Sequence, residues 1–355
     1  MTKPSDPLSL EIHDVAFGGK GVARHDGKVY FVPFTIPGEK ITARVVRQKK
    51  NFGEAELVAV ETPSPDRVEL PCPYFGVCGG CSYQHIAYAR QLEIKAAQVE
   101  QTLRRVGRLE QVPMRPIIGA PRPYAYRNRI RVHSEGGVTG FFAYDARVIV
   151  DIDKCALAVP EVNRALHRLR GRPVEDGDYS LRAPGGGPYF EQTNPEVAGL
   201  MVETVRAAAS GHGVLVDAYC GAGLFARALA DRFEKVVGIE ANPAAVESAR
   251  RSAQPHESYI AGEVGAHLGE VLSLHEAART TLLLDPPSEG LAPRVCDLLL
   301  GGAPAEVIYV SCNPATLARD LAALSGGYEL QSVTPLDMFP QTAEIEVIAH
   351  LTRRG

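Results

Sequence analysis

The sequence lacks the features that mark membrane, secreted and disulfide-rich proteins. No uninterrupted apolar run approaches the roughly 18 residues of a membrane-spanning helix. The N-terminal segment MTKPSDPLSLE has no apolar core of the kind found in signal peptides, so we expect a cytoplasmic protein. Tryptophan is absent, and only 7 of the 355 residues are cysteine. So few cysteines argue against a disulfide framework and for thiols used in metal binding or catalysis.

The formal net charge of −4 conceals an uneven distribution of charge along the chain. Residues 1–50 carry a net charge of +4, residues 101–131 carry +7, and the remainder sums to −15. The second basic stretch contains eight arginines, which are Arg104, Arg105, Arg108, Arg115, Arg122, Arg127, Arg129 and Arg131. Arginine concentrated on an otherwise acidic protein is what binding to a phosphate backbone requires. A solvated helix face followed by a polar strand is the alternative interpretation.

The first sixty residues have the pattern of a small all-β domain, and the length of the whole chain allows two or three domains. Alternating apolar residues predict short strands, and Asp26-Gly27 and Pro37-Gly38 are typical turn pairs. Five short strands in this length predict a barrel of the oligonucleotide-binding type. The basic segment 47–51 would form a loop that faces phosphates.

Three closely spaced cysteines follow a proline-rich linker at residues 62–65. Cys72, Cys78 and Cys81 form a C-x5-C-x2-C pattern whose glycines allow the backbone to fold around an inorganic centre. Cys155 is the only nearby candidate for a fourth ligand. Four thiolates suit either zinc or an iron–sulfur cluster. Zinc sites usually combine two short spacings, so a single triad with a remote fourth cysteine favours a [4Fe–4S] cluster.

The middle of the chain combines one long helix with several strands. Residues 86–106 have apolar or small residues at helical spacing, with arginine on the other face. Residues 127–133 and 140–144 alternate as strands, and the proline and glycine cluster at 183–188 predicts a second domain boundary.

From residue 189 onward, alternating strand and helix patterns indicate a doubly wound α/β sheet. Residues 214–223 predict a strand that runs into a G-x-G turn, and later strands end on Glu240 and Asp285. Glu240 has the spacing of a carboxylate that binds ribose hydroxyls, but the turn lacks the third glycine of a dinucleotide site. The ordered acids Asp217, Glu240 and Asp285 therefore favour S-adenosylmethionine over NAD as the cofactor.

A candidate nucleophile follows another predicted strand of this domain. Residues 307–310 form an apolar β-branched run that ends at Ser311-Cys312-Asn313-Pro314, before a helical pattern at 315–324. A cysteine just past the carboxyl end of a strand lies where open parallel sheets bind their ligands. The alternative is that Cys312 is a small buried residue, which is the usual role of a free cysteine.

Taken together, these motifs resemble the iron–sulfur-containing branch of the S-adenosylmethionine-dependent RNA uracil-5 methyltransferases, which carry an N-terminal TRAM domain. The resemblance covers nearly the whole chain. It implies a TRAM RNA-binding β-barrel at residues 1–65, a central β-rich iron–sulfur domain at 66–188, and a Rossmann-like methyltransferase domain at 189–355. The helix at 86–107 is expected to pack on the last of these domains.

The resemblance also implies roles for individual residues. The positions that match the ligands of a [4Fe–4S] cluster are Cys72, Cys78, Cys81 and Cys155. The positions that match cofactor contacts are Gln192, within the F-x-Q-x-N segment that begins at Phe190, and Tyr219, Glu240, Glu263 and Asp285. The segment SCNPATLARD carries the nucleophile Cys312. Residues 337–346, DMFPQTAEIE, are similar to the family's closing motif, whose last glutamate is the general base, here Glu346.

The implied reaction transfers a methyl group from S-adenosylmethionine to C5 of a specific uridine. C5 of uracil is a weak nucleophile, and addition of the Cys312 thiolate at C6 would place electron density on C5. Glu346 would then remove the C5 proton. The expected partner is RNA, with large-subunit ribosomal RNA as the predicted substrate and the T-loop of transfer RNA as the alternative. No membrane association is expected, and no obligatory protein partner is evident.

Two departures from the family pattern concern the surroundings of the site. Ser288-Glu289-Gly290 stands where the family commonly has Arg-x-Gly, and Gln341 and Glu344 replace histidines. They bear on substrate choice and rate rather than on the nucleophile or the base. A non-catalytic RNA-binding protein on the same scaffold is a rival hypothesis. A radical enzyme is disfavoured, because the C-x3-C-x2-C spacing is absent and four thiolates leave no open iron position.

Overall fold

The structure, a computed structural model, describes residues 7–185 and 191–355. These residues divide into two units. The first unit takes its residues from Met1–Gln98, Arg122–Pro184 and Phe339–Glu344, and the second from Val99–Pro121, Gly185–Met338 and Ile345–Gly355. The predicted boundary between residues 188 and 189 lies outside the described residues. The predicted three-domain division stays a prediction.

The first unit begins with the small barrel that the sequence predicted. Its strands are β1 (Leu8–Val15), β2 (Lys20–His25), β3 (Lys28–Pro33), β4 (Lys40–Gln48) and β5 (Phe52–Thr62). They close in the order β1-β2-β3-β5-β4. Alternation along the strands turns one set of apolar side chains inward, including the fully buried Val32 and Ile41. Asp26 and Gly27 both have positive φ, as a two-residue hairpin turn requires.

The first unit also contains a four-stranded antiparallel sheet with one helix packed on it. After α1 (Tyr88–Val106) come β6 (Arg129–Glu135), β7 (Val138–Phe142), β8 (Ile149–Asp151), α2 (Pro160–Arg170) and β9 (Gly177–Arg182). The strand order is β8-β7-β6-β9. Ile130 and Val132 of β6 form a buried cluster with Val162 and Leu166 of α2, which covers one face of the sheet. The sequence did not predict α2 or β9.

The predicted long helix is present as α1, but its buried side is partly polar. Gln91, Lys95 and Gln98 lie at positions i, i+4 and i+7 of α1 and are each at most 7% exposed. The sequence analysis expected apolar or small residues on this side. Further along α1, the buried Val99 and Leu103 belong to the hydrophobic core of the second unit.

The second unit is the doubly wound α/β sheet that the sequence predicted. In chain order its elements are α3 (Pro195–Ala208), β10 (Val214–Ala218), α4 (Leu224–Leu229), β11 (Lys235–Glu240), α5 (Pro243–Arg251), β12 (Glu257–Ala261), α6 (Val264–Ser273), β13 (Thr280–Leu284), α7 (Pro293–Gly302), β14 (Glu306–Ser311), α8 (Pro314–Leu324), β15 (Tyr328–Leu336) and β16 (Glu346–Arg353). Short 3₁₀ turns follow α4, at Ala230–Arg232, and precede β13, at Ala277–Arg279.

The strand order of this sheet is β12-β11-β10-β13-β14-β16-β15. The first five strands are parallel, and β16 and β15 add an antiparallel edge. Every residue of β13 and β14 is buried, which explains why both read as continuous rather than alternating patterns. The winding reverses between β10 and β13, and such switch points form ligand crevices at the carboxyl ends of the strands. No helix within the described ranges is long and apolar enough to cross a membrane.

Candidate active site and cysteine cavity

The predicted cofactor contacts of the second unit lie at the carboxyl ends of adjacent parallel strands. Tyr219 directly follows β10, Glu240 ends β11, Asp285 directly follows β13, and Glu263 stands between β12 and α6. Because these strands are neighbours in one parallel sheet, their carboxyl ends form a single edge. The structure therefore brings four of the five predicted cofactor residues to the edge where such folds bind ligands.

Tyr219 has a backbone conformation that is unusual for a residue other than glycine. Its φ of 66° lies in the left-handed region, and its N–H donates to the Ile239 carbonyl at 2.8 Å. Burial, together with the negative charge of Glu263, raises the pKa of the Tyr219 hydroxyl to about 12. Glu263 thus lies close enough to Tyr219 to act on it electrostatically.

The carboxylate of Glu240 fixes the glycine turn at the end of β10. Its Oε2 accepts the N–H of Gly221 at 3.0 Å, and its Oε1 accepts the N–H of Asn242 at 2.7 Å. Gly221 has a φ of +53°, and a Cβ atom placed there would meet no atom within 4 Å. The space above this turn is therefore open, which would allow a ligand to approach the backbone closely.

Two acids beside this turn have raised pKa values. Asp217 is fully buried in β10, where its Oδ2 accepts the Ala226 N–H at 2.9 Å and its Oδ1 has no hydrogen-bond partner. Burial raises the pKa of Asp217 to about 8, and the charges of Asp285 and Glu240 add to this shift. Burial also raises the pKa of Asp285 to about 7.

Cys312 and Glu346 are adjacent to one cross-strand pair of the sheet. β14 and β16 are antiparallel, and their last paired residues at this end are Ser311 and Val347. Cys312 is the residue after Ser311, and Glu346 is the residue before Val347. Opposite Cα atoms in such a ladder lie about 5 Å apart. The predicted nucleophile and the predicted base therefore each adjoin this cross-strand pair at the carboxyl end of β14, and Glu346 is only 5% exposed.

The loop that follows Asp285 is fixed on the helix that follows Cys312. Asn313 caps α8 and donates from Nδ2 to the Ser288 carbonyl at 3.2 Å, which also accepts the Thr316 hydroxyl at 3.1 Å. Arg319 Nη2 donates to the carbonyl of Glu289 at 2.9 Å. A guanidinium from α8 thus lies on the loop segment in which the family commonly carries its own arginine.

The segment that carries Gln192 leads into the cap of α3. Asn194 is 1% exposed, accepts the Val197 N–H at 3.4 Å, and donates from Nδ2 to the Met338 carbonyl at 3.4 Å. Gln192 is partly buried two residues before this cap. Phe190, the first residue of the predicted F-x-Q-x-N segment, lies outside the described residues.

In the first unit, the four predicted metal ligands surround one cavity of about 50 Å³. A single water needs roughly 10–15 Å³ measured in this way, so the cavity has room for a larger group. Its other lining residues include Tyr74, Gln84 and Arg127. The Gly80 N–H donates to the Cys78 sulfur at 3.4 Å. Asn163 fixes the Cys155 backbone by accepting its N–H at 2.8 Å and donating to its carbonyl at 3.0 Å.

The thiols lie near one another without converging on one point. Burial raises the pKa of Cys81 to about 12, and the neighbouring Cys155 and Cys78 contribute to the shift. Burial likewise raises the pKa values of Cys78 and Cys155. Within residues 7–185 and 191–355, no group of three or more His, Cys, Asp or Glu side chains is arranged to hold one metal ion.

The arginines of the basic stretch have different environments. Arg105, Arg108 and Arg115 are exposed, as phosphate contacts would require. Arg104 instead pairs with Glu100 at 2.8 Å, and Arg131 pairs with Asp178. Arg127 lines the cysteine cavity. The predicted basic tip is the turn between β4 and β5, where Lys49 Nζ lies 5.0 Å from the centre of the Phe52 ring.

The residues that hold the loop Phe339–Glu344, which we call the closing loop, were not predicted from the sequence. Gln341 has a φ of 69° and is 2% exposed, and it exchanges two hydrogen bonds with Gln91 of α1, at 2.9 and 3.1 Å. The ammonium group of the buried Lys95 donates to the carbonyls of Phe339 and Glu344 at 3.1 and 2.9 Å. Polar residues at helical spacing in α1 were the available sequence signal. Of the two residues that replace family histidines, Gln341 is buried and Glu344 is exposed.

Comparisons with protein-family models give two matches. A model described as tRNA (uracil-5-)-methyltransferase matches residues 267–354, which include Cys312 and Glu346. A model described as the TRAM domain matches residues 8–58, which form most of the barrel. The predicted TRAM barrel is thereby confirmed.

Curated relatives and a solved structure match along almost the full chain. An RNA methyltransferase of Protochlamydia amoebophila is 31% identical, and the alignment covers 97% of both chains. One of Halalkalibacterium halodurans is 30% identical, with 98% of this chain and 97% of that protein covered. The crystal structure of Pyrococcus abyssi tRNA (uracil-54, C5)-methyltransferase with S-adenosyl-L-homocysteine superposes with a TM-score of 0.71 at 25% identity, covering 97% of this chain and 100% of that chain. This chain belongs to the S-adenosylmethionine-dependent RNA (uracil-5-)-methyltransferases.

Proposed function

We propose that this enzyme methylates C5 of one specific uridine in a folded RNA, with Cys312 as the nucleophile and Glu346 as the general base. The observation that carries this proposal is the register of β14 against β16. This register sets the two residues beside the pair Ser311 and Val347, on the sheet edge that also carries Tyr219 and Glu240. The thiol must reach C6 of the uracil ring and the carboxylate must reach the hydrogen on C5, and two residues at neighbouring strand ends can approach adjacent ring atoms in this way.

The chain's own residues perform addition and proton removal. The Cys312 thiolate adds to C6 of uracil, which shifts the electron pair of the C5–C6 bond onto C5 as an enolate. S-adenosylmethionine, when bound, supplies an electrophilic sulfonium methyl group for C5. The Glu346 carboxylate then accepts the C5 proton, and the returning electron pair expels the Cys312 thiolate from C6. The products are 5-methyluridine, S-adenosylhomocysteine and the free thiol.

The residues that would hold the cofactor are those at the strand ends. We assign Tyr219, Glu240, Glu263, Asp285 and Gln192 to this role. The open space above Gly221 supports the assignment, and so does the position of Glu240, Glu263 and Asp285 at the carboxyl ends of neighbouring parallel strands.

Large-subunit ribosomal RNA is the proposed substrate, on the resemblance to the iron–sulfur branch. The T-loop of transfer RNA is the second candidate, and it is favoured by the similarity to the tRNA (uracil-54, C5)-methyltransferase of P. abyssi over nearly the whole chain. In either case the target base must leave its stack to reach Cys312, and this costs least in a loop.

We also propose that Cys72, Cys78, Cys81 and Cys155 hold a [4Fe–4S] cluster. Their thiols line a single cavity with room for more than a water molecule. Zinc would require all four sulfurs within about 2.3 Å of one point, whereas a cluster spreads its thiolates over four irons. The single C-x5-C-x2-C triad with a remote fourth cysteine favours the cluster over zinc, whose sites usually combine two short spacings. The cluster would have a structural role, because methyl transfer moves no net electrons.

The test is covalent trapping with RNA that contains 5-fluorouridine. Fluorine at C5 cannot leave as a proton, so the bond between Cys312 and C6 should persist and hold the RNA on the protein. Anaerobically purified protein should form this adduct with S-adenosylmethionine, and sequencing the attached RNA would distinguish ribosomal from transfer RNA. Cys312→Ala should form none, whereas Cys296→Ala, which removes another thiol of the same unit, should form it normally.

Glu346→Gln provides an independent readout on RNA with ordinary uridine. The variant should methylate C5 once and then retain the RNA, because no base removes the C5 proton. If neither ribosomal nor transfer RNA gives an adduct with wild-type protein that binds the cofactor, the proposed mechanism is wrong, and a non-catalytic RNA-binding role takes its place.

A further inference from the structure

The segment that follows Cys81 holds the closing loop directly. The N–H groups of Ser82 and Tyr83 both donate to the Gln341 carbonyl at 3.0 Å. The Ser82 hydroxyl oxygen accepts the N–H of Ala343 at 3.1 Å. These three hydrogen bonds begin one residue after a thiol that lines the cavity. Any displacement of Cys81 would therefore be transmitted to the closing loop through one peptide unit.

The segment around Cys155 reaches the same loop by a second route. The backbone after Cys155 pairs with the segment at Tyr126, where the carbonyl of Leu157 accepts the Tyr126 N–H at 2.9 Å. The Tyr126 hydroxyl then donates to the Pro340 carbonyl at 3.0 Å. Arg127, which lines the cavity beside Cys81 and Cys155, lies 5.9 Å from the centre of the Phe339 ring.

The loop needs this support because part of its backbone is strained. Gln341 is a non-glycine residue with a φ of 69°, a conformation that costs roughly 1–2 kcal/mol and persists only where surrounding contacts impose it. Gln91 and Lys95 supply contacts from α1 that do not involve the cysteines. Loosening the cysteine segments should therefore weaken the closing loop without releasing it completely.

We propose that the cysteine centre is a positioning element for the general base, and that Ser82 and Tyr126 are positioning residues that connect the centre to the closing loop. The inference rests on the proposed function. The loop ends at Glu344, and Glu346 follows two residues later along the chain. Coupling between the cysteine centre and the closing loop is reciprocal, so the contacts that hold the loop should also slow the loss of metal from the centre.

The coupling can be measured without catalysis, in the full-length protein purified anaerobically. Iron and sulfide are counted first, and then the rate of iron release to a chelator and the hydrogen exchange of residues 339–344 are compared between variants. Ser82→Ala removes one hydrogen bond to the closing loop and should raise both rates by about fivefold. Tyr126→Phe should raise them at least as much, because the Tyr126 hydroxyl donates to Pro340 and also accepts the Nε–H of Arg127 at 3.4 Å. Tyr74→Phe is the matched control, because Tyr74 lines the same cavity but its hydroxyl bonds to Asp153 at 2.6 Å.

A kinetic readout then tests the consequence for the base. With RNA labelled with tritium at C5 of uracil, Tyr126→Phe should slow tritium release more than methyl transfer in a single turnover, so that methylated covalent adduct accumulates. A merely structural role would slow both steps equally. The inference is overturned if the protein binds no metal, or if Tyr126→Phe matches Tyr74→Phe in iron release and hydrogen exchange. Failure of the wild type to form any adduct would refute the proposed function and leave the measured coupling intact.

Discussion

Asp320 connects α8 to the loop after Asp285, and its removal should lower the free energy of unfolding substantially. The side chain is 2% exposed in α8. Its Oδ2 accepts the Tyr309 hydroxyl at 2.7 Å and the Leu291 N–H at 2.8 Å, while its Oδ1 accepts Arg319 Nε at 2.8 Å. The perturbation we consider is Asp320→Ala, which removes all three acceptor contacts.

The expected loss of stability follows from which donors remain buried. Tyr309 is fully buried and Leu291 is 4% exposed, so Asp320→Ala leaves two donors without a partner or water. Each such donor costs about 1–3 kcal/mol, so the free energy of unfolding should fall by about 2–6 kcal/mol. The Arg319 side chain is 52% exposed, and water can replace its contact at little cost. A loss of this size is a large part of the total of about 5–15 kcal/mol for a typical protein.

A double-mutant cycle with Tyr309→Phe distinguishes this mechanism from a general packing defect. Tyr309→Phe alone should cost about 0.5–1.5 kcal/mol, because it removes one hydrogen bond. In the double variant the orphaned hydroxyl is absent, so the combined loss should be smaller than the sum of the single losses by at least about 0.5 kcal/mol.

The cycle is measured by urea unfolding followed by circular dichroism, with hydrogen exchange at Leu291 as a local probe. Glu247→Ala is the control, since it removes an exposed carboxylate that pairs with Arg251 at 3.7 Å in the same unit and should cost no more than about 0.5 kcal/mol. Additive losses, or an Asp320→Ala variant as stable as this control, would refute the reasoning.

Three further predictions concern other buried groups. Asp217→Asn keeps the acceptor for the Ala226 N–H but cannot ionise. Because burial raises the pKa of Asp217 from 3.8 to about 8, the stability of the wild type relative to this variant should fall by up to about 1.4 kcal/mol per pH unit as the pH rises between these two values. Parallel pH profiles of the two proteins in urea unfolding would contradict this prediction. Burial alone would raise the pKa of Glu39, but hydrogen bonds from Arg67 and the Ile36 N–H lower it below 4.5. The wild type should therefore be more stable than Glu39→Gln above pH 4.5, and this advantage should disappear as acid protonates Glu39. An advantage that persists in acid would exclude this explanation. Gly238→Ala would place a Cβ atom 2.4 Å from Cδ1 of Tyr259 and 2.8 Å from the Cys220 sulfur. The free energy of unfolding, measured by calorimetry, should therefore fall by about 1–3 kcal/mol. An unchanged melting temperature would show that β11 has room for the added methyl group.

The sequence predicted the strand ends of this sheet well because strand ends are local features. The apolar runs before Cys312, Asp285 and Glu240 each indicated a buried strand, and the residue type at the end of each run indicated what it would present to a ligand. In a parallel sheet the carboxyl ends share one edge, so these local predictions combine without knowledge of the strand order. The pairing of Ser311 with Val347 depends on antiparallel register between distant segments, and the sequence did not reveal it.

The sequence could not predict contacts in which a side chain bonds to the backbone of a distant segment. Lys95 reads as a solvated charge on a helix, yet it is 1% exposed, because carbonyl groups 244 and 249 positions further along the chain accept hydrogen bonds from its ammonium group. Arg127 reads as one member of a basic stretch for RNA, yet it lines the cysteine cavity. In both cases the residue type fixes the chemistry, and only the tertiary fold determines whether its partner is water, phosphate or backbone.

In the loop after Asp285, the backbone determines the position of the loop, whereas the side chains determine its charge. The loop is held through the backbone carbonyls of Ser288, Glu289 and Leu291, which accept hydrogen bonds from the α8 side chains Asn313, Thr316 and Arg319. Every residue type supplies a carbonyl, so the replacement of the family's arginine by Ser288 leaves these acceptors in place. The replacement does remove a cation from a loop anchored beside the nucleophile. We therefore expect Ser288→Arg to change the affinity for RNA and its dependence on salt, while the rate of C5 proton removal from bound RNA stays the same.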